Sequence, residues 1–121
     1  ILRNELFGKD STVLIISSEV RGNDLAVNYI YYSIFSKANL ENANFKNAIL
    51  WHTNFYSADL ANADLSGADL RNAYFGNADL SYANLEGANL EGANLEGAIL
   101  DNAILTGANL NCENHSICLN D

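Results

Sequence analysis

A single period governs this sequence. From Leu40 a large apolar residue returns every five positions: Leu40, Phe45, Leu50, Phe55, Leu60, Leu65, Leu70, Phe75, and then Leu at every fifth residue from Leu80 to Leu110. Two residues before each stands Ala, from Ala38 to Ala108, with Thr53 the one exception. The residue between them is mostly Asn or Asp, and the two after it vary. We number the five positions so that the small residue is position one and the large apolar centre is position three. The register runs back through Phe35, Ile30, Leu25 and Val20, with Ser33 still small at position one, which gives nineteen pentapeptides between centres 20 and 110.

Five residues fit neither the 3.6-residue period of a helix nor the alternation of a strand. They suit a chain that turns a corner every five residues, with positions one and three inward and the other three outward. Gly67, Gly87, Gly92, Gly97 and Gly107 all fall at position five, where the turn is made. The sequence has no Pro, in keeping with a body built from backbone ladders. Its 19 Asn read as turn formers and outward hydrogen-bonding columns rather than as a chemical site.

The pattern A-(N/D)-(L/F)-X-X resembles the pentapeptide repeat family over residues 20–112. The resemblance implies an all-β fold: a right-handed quadrilateral β-helix, or β-solenoid, of about four to five 20-residue coils with non-repeat caps at both ends. Coils of that length place Phe35, Phe55, Phe75 and Leu95 in one column as a core stack, with Phe45 outside it. At about 4.8 Å per coil the rod is roughly 20 to 25 Å long. Three segments follow. Residues 1–19 are an N-terminal non-repeat segment and cap containing the β-branched run Thr12 to Ile16, residues 20–112 are the β-helix, and residues 113–121 are a capping tail.

Charge narrows the partners. With 15 Asp and Glu against 6 Lys and Arg in 121 residues, the formal charge is −9, which argues against nucleic acid or an anionic membrane surface as partner. The longest strongly apolar run, Val13 to Ile16, is far too short for membrane insertion. A chain that starts at Ile1 and contains no Met reads as a processed fragment of a larger protein. All six basic residues lie at or before Arg71, whereas residues 72–121 carry seven uncompensated carboxylates. Asp59 and Asp79 are expected one above the other, which hints at a bound cation or basic partner; the ordinary explanation is a solvated face that keeps the rod soluble.

No arrangement of nucleophile, acid and base stands out, and no cofactor motif is present, so an enzyme is not expected. His52 and His115 fall at opposite ends of the rod. The tail carries both cysteines, Cys112 and Cys118, and the outward residues before it turn apolar at Ile99 and Ile104. A Cys112–Cys118 disulfide that folds Ile117 and Leu119 back over those isoleucines is one reading; two free thiols and a zinc site of Cys112, His115 and Cys118 are the others. The cysteine pair, with the sequon Asn114-His115-Ser116, favours an exported or cell-surface protein over a cytoplasmic one.

One surface invites a partner. Tyr31, Trp51, Arg71 and Glu91 share an outward column, with Tyr32 and His52 beside them and Tyr29 and Ile49 on the other flank. Trp, Tyr and Arg are enriched in binding hot spots, so Tyr29, Tyr31, Ile49, Trp51, His52 and Arg71 form a candidate interaction patch for an unknown protein partner. Coverage by the N-terminal segment, or an Arg71–Trp51 cation–π pair, would account for the same residues. The expected function is therefore a non-enzymatic structural or interaction module. The alternative that the resemblance suggests is a DNA-mimicking inhibitor of DNA gyrase; those inhibitors are longer rods that dimerise, whereas this chain, with no loop insertion and a tail like a closed cap, reads as a monomer.

Overall fold

The computed structural model describes residues 32–119. Each pentapeptide makes the same turn. The carbonyl at position three accepts a hydrogen bond from the N–H at position one of the next repeat, from Ala38 to Phe35 at 3.0 Å through Ala108 to Leu105 at 3.1 Å. Within each turn position four has negative φ and position five positive φ, as in Lys37 (59°), Asn62 (61°) and Gly87 (68°). That sign pattern defines a type II turn.

In an interior repeat with Asn or Asp at position two the other four amides are also satisfied. Position three donates to the following coil, as from Leu60 to Asp79 O at 2.7 Å, and position five does likewise, as from Asn62 to Ser81 O at 2.9 Å. Position two donates to the preceding coil, as from Asp59 to Ala38 O at 2.9 Å. The position-four amide has no ladder partner, and the position-two side chain supplies one: Asp59 Oδ1 accepts from Ala61 N–H at 3.0 Å and Asn84 Oδ1 from Glu86 N–H at 3.0 Å. The preference for Asn and Asp there is thus an Asx turn repeated along the chain. A five-residue unit that closes its own turn and ladders to both neighbouring coils needs no long strand.

Coils pair in parallel at a fixed offset. Single bridges join Ile34 to Asn54, Asn39 to Asp59 and so on to Asn89 with Asn109, each twenty residues apart. Four turns therefore make one coil. Positions one and three line the interior, and Phe35, Phe55, Phe75 and Leu95 are all fully buried in one column. The Phe35 and Phe55 rings stack at 5.4 Å and those of Phe55 and Phe75 at 5.0 Å. Phe45, which the column leaves out, meets both Phe35 and Phe55 edge-on at 5.8 Å across the interior.

At the C-terminus the register shortens by one. Asn94 bridges Glu113, nineteen residues on, because the chain passes from position four at Asn111 straight to a position-one residue at Cys112. Cys112 is buried beneath Ala93, with Glu113 N–H donating to Ala93 O at 2.9 Å and Leu95 N–H to Glu113 O at 3.0 Å. The Cys118 sulfur lies at bonding distance from that of Cys112, with the Cα atoms 5.0 Å apart. Ile117 and Cys118 pack on the end of the core, where Leu100, Leu105 and Leu110 are partly buried.

The expected cover over Ile99 and Ile104 is not there: they remain 45 % and 46 % exposed, and Leu119 is 71 % exposed. Position-two side chains point sideways out of the coil, so a tail lying across the end cannot reach them. The zinc reading fails as well. The two sulfurs face each other, and both ring nitrogens of His115 are engaged, Nδ1 accepting from Ile117 N–H at 3.3 Å and Nε2 lying 3.1 Å from Ala98 O. Since Nδ1 accepts, the ring proton sits on Nε2 and is donated to Ala98. The N-terminal segment 1–19, the early repeats, Tyr29 and Tyr31 lie outside the described residues.

Candidate functional site

Four turns per coil give the rod four faces, and their outward residues differ. The face over the Phe35–Phe55–Phe75 column is bounded by two corners, one bearing Tyr32, Trp51, His52 and Arg71 and the other Lys37 and Tyr56. Between them the position-two residues are Ile34, Asn54 and Tyr74. Across these three coils no outward residue of this face is Asp or Glu, although the chain carries a net −9.

Tyr32 and His52, both at position five, stack in parallel one coil apart at 4.8 Å. Trp51 meets each of them edge-on, at 5.1 Å from Tyr32 and 5.6 Å from His52. Tyr32 is 51 % exposed, His52 is exposed and Trp51 is half-buried. Trp51, His52, Arg71 and Asn72 line an open depression of about 250 Å³. Ile49 lies half-buried on the neighbouring face.

Arg71 does not serve as a loose cation here. Its Nε and Nη2 fork onto Asp69 Oδ1 and Oδ2 at 2.8 and 2.7 Å, within its own turn. The hydrogen bond from Arg71 holds the Asp69 carboxyl below its usual range against the opposing effect of burial, and the same bond raises the Arg71 pKa. The corner therefore presents a neutralised guanidinium, whose plane and remaining N–H groups are available for polar contact without net charge.

Sequence reasoning along position four missed the rest of this face. Tyr56 and Tyr74 stack at 5.8 Å with rings 7° apart, and both are half-buried. Tyr74 stands at position two, where Asn or Asp is usual, and lies across Gly76: a Cβ on Gly76 would come 2.5 Å from the Tyr74 hydroxyl. Sequence signals were present, an aromatic in the Asx column and the one Gly at position four, but they become legible only when columns twenty residues apart are compared. The Asp59–Asp79 column, by contrast, is occupied by backbone. Each carboxylate accepts its own position-four N–H, Asp59 from Ala61 at 3.0 Å and Asp79 from Ser81 at 2.9 Å. Among the described residues no group of three or more His, Cys, Asp or Glu is arranged to hold a metal ion, and no helix is long and apolar enough to cross a membrane.

Comparison with known proteins places the whole pattern. The family model for pentapeptide repeats matches residues 33–72 and 73–111. Among solved structures the chain is similar to HetL, a pentapeptide repeat protein involved in heterocyst differentiation regulation in the cyanobacterium Nostoc, with 37 % identity, a TM-score of 0.71, and coverage of 80 % of this chain and 43 % of HetL. It is similar to a pentapeptide repeat protein of the Arabidopsis thaliana thylakoid lumen at 37 % identity and a TM-score of 0.66, covering 81 % of this chain and 62 % of that one. A second Nostoc pentapeptide repeat protein shares 43 % identity at a TM-score of 0.61, over 62 % of each chain. The chain thus spans about two fifths to three fifths of the length of these relatives. A search of curated proteins finds no match.

Proposed function

The chain belongs to the pentapeptide repeat family, and from that premise we propose that it is a non-enzymatic interaction module, a right-handed quadrilateral β-helix that presents one aromatic face to a protein partner. The observation that carries this reading is segregation. Tyr32, Trp51, His52, Tyr56 and Tyr74 gather on a face that, across three coils of the described residues, carries no outward Asp or Glu, in a chain of net charge −9. Aromatic side chains with few rotatable bonds lose little entropy on docking, and a partner seated here desolvates no outward carboxylate of these three coils. The rigid ladder behind the face holds it in one geometry. The described repeats contain no projecting loop, so recognition falls to flat surface. The cysteine pair, together with a relative from the thylakoid lumen, supports an oxidising compartment outside the cytosol.

The test is comparative photocrosslinking in extract of the source organism, with a benzophenone amino acid at His52 and, separately, at Ser66 on another corner. A discrete adduct from position 52, lost on Tyr74→Ala and absent from position 66, is the expected result. Equal labelling from both positions, or none, overturns the aromatic face. The gyrase alternative draws on the carboxylate excess beyond Arg71 and is read in the same preparation: the proposed module leaves DNA supercoiling by gyrase unchanged and sediments as a monomer.

A further inference from the structure

We propose that the Cys112–Cys118 bond is a redox strap: an external dithiol opens it by attack at Cys118, and opening releases the tail from the end of the core. This inference is independent of the aromatic face. It rests on an asymmetry of burial and on what else holds the tail.

Cys112 sits at position one beneath Ala93 with no exposed surface, whereas Cys118 is only partly buried at the end of the rod. Thiol–disulfide exchange proceeds by in-line attack of a thiolate on one sulfur, and the reachable sulfur decides the direction. A dithiol of the thioredoxin class therefore bonds to Cys118 Sγ. The S–S bond breaks, the Cys112 sulfur leaves as a thiolate and takes up a proton. The second thiol of the reductant then displaces Cys118 as a thiol, and the reductant departs as a disulfide, having supplied two electrons.

The two halves of the tail are held differently. Cys112 and Glu113 belong to the ladder through Ala93 and Leu95, and stay in place when the bond opens. Beyond them the tail has Asn114 Nδ2 on Asn94 Oδ1 at 3.2 Å, His115 Nε2 on Ala98 O at 3.1 Å and Leu119 N–H on Leu110 O at 2.8 Å, with Ile117 packed against the core. The S–S bond joins the two halves by closing a loop of six residues' separation. Without that covalent closure the contacts beyond Glu113 are a few partly exposed hydrogen bonds at a chain end, the class of contact that opens most easily. Release takes Ile117 and Cys118 off the core and leaves the partly buried Leu100, Leu105 and Leu110 at an end without its tail.

Two readouts decide it. First, the oxidised protein is mixed with a thioredoxin whose resolving cysteine is replaced by serine, and the trapped mixed disulfide is located by peptide mass; it is expected on Cys118. A bond to Cys112, or no trapped species, overturns the direction of attack. Second, amide exchange is followed on oxidised, reduced and Cys118→Ser protein. Exchange at Cys118 and Leu119 is expected to rise about tenfold or more on reduction and in the variant, with Leu65 and Leu70 unchanged. Unchanged exchange at the tail means that the non-covalent contacts hold it alone, and the strap is refuted. Faster exchange throughout the rod would show that the bond supports the whole fold, which also contradicts a local device.

Discussion

The smallest unit of this fold is a side chain that finishes a backbone turn. At position two, Asn or Asp accepts the only repeat amide that the ladder leaves over, and Asn84→Ala removes that acceptor from Glu86. Equilibrium denaturation should record a loss of about 1 kcal/mol, with the m-value unchanged. Position five shows how neighbouring coils constrain one another. A Cβ built on Gly67 collides with the Asn47 carboxamide, whereas one on Gly87 meets nothing within 4 Å, although φ is positive at both. Gly87→Ala should therefore cost about 1 kcal/mol for backbone conformation alone, and Gly67→Ala distinctly more. Adding Asn47→Ala should recover the excess, a coupling that a double-mutant cycle reads directly. At Asp69 the sign follows from its lowered pKa: the folded state takes up the proton at lower pH than the unfolded chain does. The Arg71 pair thus stabilises at neutral pH and is lost as pH falls through the lowered folded value. Both partners are solvent-accessible, so the difference between wild type and Asp69→Asn should be small at pH 7 and shrink further as the pH falls through the lowered value of Asp69.

The element of this structure is the coil, and its energetics lie inside. Phe55 touches Phe35, Phe75 and Phe45, the first two by stacking and the third edge-on. Phe55→Ala should cost about 3 to 5 kcal/mol, visible as a lowered denaturation midpoint. Leu at position 55 should cost less, because the columns elsewhere are filled by Leu. The coil was legible in the sequence because its two inward positions are chemically exclusive: Ala38 to Ala108 and Leu40 to Leu110 admit almost nothing else, while its twenty-residue length came from the family resemblance, with which the Phe column agrees. Its end was not. Asn111 and Cys112 look like an ordinary outward pair, and only the bridge from Asn94 to Glu113 reveals that Cys112 has turned inward. The isoleucines at 99 and 104 misled for a related reason. An apolar side chain in an outward column suggests a cover, but nothing in a five-residue pattern says which direction a tail can reach.

On the scale of the whole molecule, each coil contacts only the coils before and after it, so stability sums along the rod and weakens toward its ends. The same geometry sorts chemistry by face. Residues twenty apart share a column and residues ten apart stand on opposite sides, which is why Trp51, Tyr56 and Tyr74 border one face while Asp64 and Glu86 lie elsewhere. One corner of the candidate face was visible from the sequence, in Tyr32, Trp51, His52 and Arg71. Tyr56 and Tyr74 were hidden because they occupy different positions of the repeat and meet only across a coil. Every assignment of a side chain to a face depends on the coil having four sides, and one distance comparison tests it. Spin labels at Ala61→Cys with Ser81→Cys, and at Ala61→Cys with Arg71→Cys, are read by electron paramagnetic resonance, the native cysteines being paired. The pair twenty residues apart should be the nearer, with backbones about 5 Å apart, and the pair ten apart the more distant, across the rod. If the ten-residue pair proves nearer, the four-sided coil is wrong and the aromatic face falls with it.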